Sequence, residues 1–321
     1  MTALAPREQT SATPPPARGP GHLFLPFAVA VLAAAGAYVV YRIFLRTSLG
    51  QLVDTAALRG GDVHHPKVDE VLGRTLNGTT LVSVVLVCLV AAAIGVLRKR
   101  IDLAVGAAFL VLGANGSTQL LKDHLVRPDL DRFPAPNSFP SGHTAAAASV
   151  AFALILVLPH AVRGTVALIG FAYVTVIAVA TVWAEWHRPS DTIAAMLVVL
   201  AWGALTVLGI RLRRWRRPGP AERPIRLALL PLLAIGAVTA VAGLLGMLAV
   251  ALSERVTPGL VSGRFAFLAG SAAMAAAAAG AFVFWVRLSS GPRPAREAAP
   301  VEAEDTGPAP RAVRRPKGDP K

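Results

Sequence analysis

The apolar positions of this chain fall in long runs separated by short polar segments. The runs are Leu23–Leu45, Thr79–Leu97, Leu103–Leu121, Ser141–Leu158, Thr165–Glu185, Asp191–Ile210, Ile225–Leu252 and Phe265–Val286. Each is near the ~20 residues that a helix needs to cross a ~30 Å hydrocarbon core. The pattern therefore predicts an all-α, polytopic membrane helix bundle with eight spans. The runs are too long and too rich in Ala for barrel strands, and no period of ~20–50 residues points to a repeat architecture. The first run is long for a signal-peptide core and no clear polar cleavage segment follows it, so it reads as an uncleaved span. Between the first two runs, residues 46–76 read as a polar connection holding Asp54, Asp62, His64, His65, Asp69 and Glu70. Residues 1–22 and 287–321, rich in Pro, Ala and charge, read as disordered tails.

Composition agrees with a membrane protein. Of the 321 residues, 54% are apolar and only 16% charged, against about 25% charged in an ordinary globular protein. Mean hydropathy is +0.57. A disordered chain is excluded and a soluble enzyme disfavoured. The single cysteine, Cys88, lies inside an apolar run, which rules out an intrachain disulfide framework and a cysteine-based metal cluster.

The net charge of +14 would suggest nucleic acid in a soluble protein; its distribution suggests membrane topology instead. Eight spans put both termini on one side. With the termini in the cytoplasm, the cytoplasmic segments and the interfacial Arg226 hold 21 of the 32 Lys and Arg, with Arg211–Arg217 the strongest anchor. That is the asymmetry of the positive-inside rule. The expectation is a multi-pass protein of the plasma (inner) membrane with no nucleic-acid partner.

Two polar clusters adjoin the spans on the opposite, non-cytoplasmic side. One runs from Lys122 through Arg127-Pro128 to Pro140-Ser141-Gly142-His143; the other is His187-Arg188-Pro189-Ser190-Asp191. His187 and Asp191 are four apart, one face of a helix. A carboxylate there can fix the tautomer of a histidine acting as nucleophile or base, or simply cap a helix. Ser141 can cap the following span, and Gly142 permits close backbone approach to a ligand. The free N–H groups there form an anion site, to which Lys122, Arg127 and Arg188 can add positive charge.

These residues resemble the type 2 phosphatidic acid phosphatase (PAP2) superfamily, of the bacterial integral-membrane lipid-phosphatase kind. Its motifs are approximately Lys-x6-Arg-Pro, Pro-Ser-Gly-His and Ser-Arg-x5-His-x3-Asp. Pro140–His143 matches the second in full, His187-x3-Asp191 the end of the third, and Lys122-x4-Arg127-Pro128 the first with a shorter spacing. The third motif's Ser-Arg falls on Ala180-Thr181, and the first motif's Arg position is Asp129. The resemblance spans roughly residues 25–210. It implies a six-span core over 23–212; the basic cytoplasmic loop and two extra transmembrane helices expected over 213–286 lie outside it.

Its implied roles are catalytic for His187 (nucleophile), His143 (acid) and Asp191 (orienting group), and phosphate-binding for Lys122, Arg127, Ser141, Gly142 and Arg188. The implied reaction is metal-independent and cofactor-free hydrolysis of a lipid phosphate or diphosphate through phosphohistidine. Its partners are a membrane lipid phosphate and the bilayer. A lipid phosphotransferase of the same family and a catalytically silent lipid-binding or scaffold relative remain as alternatives, and the oligomeric state stays open.

Overall fold

The computed structural model describes residues 21–61, 70, 81–131, 136–214 and 226–290. Asp62, His64, His65, Asp69 and residues 1–20 and 291–321 lie outside these. Among the described residues every regular element is helical. We label the α-helices α1 (Gly21–Val40), α2 (Ser48–Arg59), α3 (Leu81–Leu97), α4 (Ile101–His124), α5 (Gly142–Val157), α6 (His160–Trp183), α7 (Pro189–Arg213), α8 (Arg226–Val256) and α9 (Gly263–Ser289). A π-helical turn, Tyr41–Leu45, continues α1.

Among the described residues all eight apolar runs are helical, and six helical segments are long and apolar enough to cross a membrane. The chain is thus a multi-pass membrane protein. The other two runs, α3 and α5, have 17 and 16 residues. At 1.5 Å per residue, α5 covers only about 24 Å. Its N-terminus is set by the Ser141 cap, whose hydroxyl oxygen accepts the Thr144 N–H at 3.3 Å. Its other end meets two arginines: Arg163 donates to the Leu158 and Leu156 carbonyls at 2.9 and 3.1 Å, and Arg98 to the Val157 carbonyl. Cations are favourable at a helix C-terminus, and these satisfy carbonyls that the helix leaves open.

Residues 46–76 are not simply a polar connection. Thr47 caps α2 by accepting the Gly50 N–H, and α2 is amphipathic. Its Gln51, Val53, Asp54, Thr55 and Ala57 are buried, against the loop after α4, the start of α7, and α8 and α9.

The last two helices join the same core. Trp285 of α9 is fully buried, stacks on Phe152 of α5 with centroids 4.7 Å apart, and donates to the Phe152 carbonyl. Gly243 and Gly246 of α8 lie directly against Ala273 and Ala269 of α9, small residues that let the two backbones approach.

The loops sort to two ends. One end gathers Arg98, Arg163, Arg211 and Arg214; Arg211 donates to carbonyls of His22 and Leu288, and Arg214 pairs with Asp102. The other gathers the end of α1, α2, and the α4–α5, α6–α7 and α8–α9 connections. Both motif clusters are there.

Candidate active site

The α6–α7 turn sets the position of His187. Helix α6 ends with Glu185 in the left-handed region, φ 57°. The N–H groups of Glu185 and Trp186 return to the Val182 and Thr181 carbonyls, both at 3.0 Å, and that of His187 also reaches Thr181 O at 3.1 Å. This is a Schellman-type ending. It begins a five-residue reversal between α6 and α7 and leaves His187 buried, 6% exposed.

Helix α7 then starts with Arg188 as N-cap and Pro189 in its first turn. His187 therefore precedes the helix, and the expectation that it shares a helical face with Asp191 is corrected. The two meet because Asp191 folds back over the cap. Asp191 Oδ2 accepts the Arg188 N–H at 2.9 Å and the Ser138 hydroxyl at 2.6 Å, and faces His187 Nδ1 at 3.5 Å. Asp191 is thus both a helix cap and the partner of the histidine. The 3.5 Å gap exceeds a normal hydrogen bond; such contacts tighten when substrate binds.

The Pro-Ser-Gly-His segment is fastened to the same turn by the Ser141 N–H, which donates to the Asp191 carbonyl at 3.0 Å. Asn137 prepares this approach: its amide donates to the Lys122 and Leu125 carbonyls at the end of α4, and its oxygen accepts the Phe139 N–H. A Cβ on Gly142 would meet nothing within 4 Å, so open space lies over the first turn of α5. The His143 ring sits 5.8 Å from that of His187, edge to face, and 5.4 Å from Trp186. Lys122 and His187 are within electrostatic reach of His143.

The arginines converge too. The Arg127 side chain is 3% exposed and pairs with Asp131 at 3.4 Å. Burial first, and then the charge of Arg188, lower the Arg127 pKa; Asp54, Asp131 and Asp191 oppose this. Arg188 is buried, and its Nε has no hydrogen-bond partner among the described residues. Two buried cations thus lie within electrostatic reach of one another at reduced dielectric, a field that favours a bound anion. At the positions where the resemblance expects arginine, Thr181 is buried with its hydroxyl on the Ala178 carbonyl, and Asp129 is exposed.

Every predicted site residue lies at this end of the bundle. Ser138, Asn137 and Asp54 were missed. Ser138 lies two residues before Pro140 of the Pro-Ser-Gly-His segment, which is a local signal. Asp54 carries none: it lies 136 residues from Ser190, whose N–H and hydroxyl it accepts.

Residues 81–215 match the family model for the PAP2 superfamily. No curated protein and no solved structure matches the chain. The matched stretch takes in α3 to α7 and leaves α1, α2, α8 and α9 outside.

Proposed function

The chain is a member of the PAP2 superfamily through residues 81–215, and from that premise we propose that it hydrolyses a lipid phosphate or diphosphate at a non-cytoplasmic membrane face. Phosphatase-like chemistry follows from the family. The lipid substrate, the residue roles and the orientation are our reading. The observation that carries it is the meeting of His187, Asp191, His143, Arg127 and Arg188 at one end of the bundle, beside an open helix N-terminus.

With Nδ1 of His187 toward Asp191, Nε2 is the nitrogen free to attack phosphorus. A P–N bond forms as the P–O bond to the leaving group breaks. His143 donates a proton to the departing oxygen. Asp191 stabilises the imidazolium charge that develops on His187. Arg127, Arg188 and Lys122, with the Ser141 hydroxyl and the Gly142 N–H, hold the phosphoryl oxygens as charge builds in the transition state. Water then attacks the phosphohistidine, giving its proton to His143 and releasing phosphate.

The test is phosphate release by purified full-length protein from a panel of phosphatidate, lysophosphatidate and polyprenyl diphosphate in mixed micelles. Release that is lost in His187→Ala supports the reading. A panel without turnover, at protein concentrations where a related phosphatase is active, overturns it.

A further inference from the structure

Helix α2 lies outside the matched stretch and both motif clusters, yet its polar face is buried beneath them. Gln51, Asp54 and Thr55 share one side of the helix, and none is more than 3% exposed. Gln51 Nε2 donates to the Pro128 carbonyl at 2.7 Å and its Oε1 accepts the Leu130 N–H at 3.2 Å. Thr55 donates to Asp131 Oδ2 at 2.6 Å, the oxygen that also faces Arg127. These two side chains brace the loop that carries Arg127.

Asp54 reaches α7. Its Oδ1 accepts the Ser190 N–H at 3.1 Å and its Oδ2 the Ser190 hydroxyl. That N–H belongs to the first turn of α7 and has no acceptor within its own helix. A tether alone would not require a carboxylate, because an amide oxygen accepts the same N–H. The carboxylate is unfavourable here: burial, and then the Asp191 charge beside it, push its pKa up to about 7. The two Ser190 hydrogen bonds and the charge of Arg188 act the other way. The charged groups around it are Asp191 and Arg188 on α7 and Arg127 on the α4–α5 loop. Arg127 has Asp131 as its ion-pair partner, whereas Arg188 is buried with its Nε unpartnered among the described residues, and Asp54 is a buried carboxylate within its electrostatic reach.

We propose that Asp54 is a positioning residue of the phosphoryl site, holding the first turn of α7 through Ser190 and supplying the negative charge that keeps Arg188 turned inward beside Arg127. This rests on the phosphatase reading above. Asp54 touches no reacting atom; it acts through Ser190 and Arg188.

The experiment compares wild type, Asp54→Asn, Asp54→Ala and Ser190→Ala as full chains in detergent, measuring phosphate release from phosphatidate micelles from about pH 5.5 to about pH 8.5. At pH 8 we expect Asp54→Asn to lose at least about tenfold in kcat, with KM changed little, and to be no better than Asp54→Ala. Wild-type kcat should rise through about pH 7 as the Asp54 carboxylate ionises, a limb that Asp54→Asn should lack. Ser190→Ala keeps the charge and should be the mildest. Wild-type kcat and pH profile in Asp54→Asn would overturn the proposal.

Thermal unfolding separates positioning from folding. A carboxyl whose pKa is raised in the folded state contributes stability that is fully present below its unfolded pKa and is lost as pH rises through the folded value. Removing the ionised group should therefore leave Tm at pH 8 unchanged or higher. A clearly lower Tm in Asp54→Asn would make Asp54 a structural cap and overturn the proposal. If wild type released no phosphate, the phosphatase reading would fail on that substrate, and sulfate, a dianion throughout this range, becomes the probe. Sulfate should raise the Tm of wild type more than that of Asp54→Asn. No rise in wild type, or an equal rise in both, overturns the positioning role.

Discussion

His187 is oriented by backbone on one side and a carboxylate on the other: its N–H is held by Thr181 O and its Nδ1 faces Asp191. His187→Ala should abolish turnover, lowering kcat by several orders of magnitude. Asp191→Asn should cost less, because the nucleophile remains, though in a poorer tautomer. Asp191 also caps α7, so unfolding should be measured beside kcat; near-native turnover in His187→Ala would sink the assignment. For the arginines, a hydrogen bond to a charged group is worth about 1.5–3 kcal/mol, or roughly tenfold to a little over a hundredfold in rate. Arg127→Ala and Arg188→Ala should each lower kcat/KM by at least about tenfold, and Arg127→Lys should recover only part because Lys lacks the planar fork. Since the two groups are electrostatically linked, the double mutant should lose less than the product of the single effects. Full additivity would mean that they serve separate sites. At this scale the sequence was informative where partners are neighbours in the chain, as with His187, Asp191 and the Ser141 cap. It was silent on Asp54 because nothing local distinguishes a buried Asp from a solvated one.

Among the elements, α2 shows why a polar stretch can be misread. Its apolar positions are few, and its buried face is itself polar, with hydrogen bonds that close only onto distant loops. Hydropathy cannot detect burial of that kind. Helix α5 departs in the other direction: its run looks like a full span, but the Ser141 cap and the Arg98 and Arg163 ligation hold it to 16 residues. Shortness keeps its N-terminus level with the α6–α7 turn. Helix α9 lies beyond the family match, yet Trp285 fills the space between α5 and α7, directly under Gly203. Trp285→Ala should destabilise the protein by about 3–5 kcal/mol through the cavity it leaves, seen as a fall in Tm. Activity per folded molecule at low temperature should remain close to wild type. An unchanged Tm would mean that α9 is not an integral part of the core.

For the whole molecule, the division of loops between two ends makes topology testable. Asp129 and Glu185 are exposed at the site end and Lys99 at the arginine-rich end. Cysteines placed singly at these positions, in a Cys88→Ala background, should be labelled by an impermeant reagent from opposite sides. We expect Asp129→Cys and Glu185→Cys to react from the non-cytoplasmic side and Lys99→Cys only after cytoplasmic access. The reverse result would put the site in the cytoplasm and remove the orientation from the proposal. Ser138 and Ser190 are unsuitable probes even though both lie in polar segments, because their hydroxyls bond Asp191 and Asp54.

The sequence alone determined the all-α membrane architecture, because backbone polar groups in hydrocarbon must be satisfied within each segment and apolar runs of spanning length admit no other solution here. It also determined the motif residues, whose spacing is set by single turns: a Ser cap before Gly142-His143 and an Asp that folds back across one helix start. Only the tertiary structure decided which cations meet, that Arg188 stands buried beside Arg127, and that α2 supplies Asp54 from 136 residues away. Those outcomes depend on which helix ends pack at one level, and packing between helices is a long-range property that local pattern does not encode.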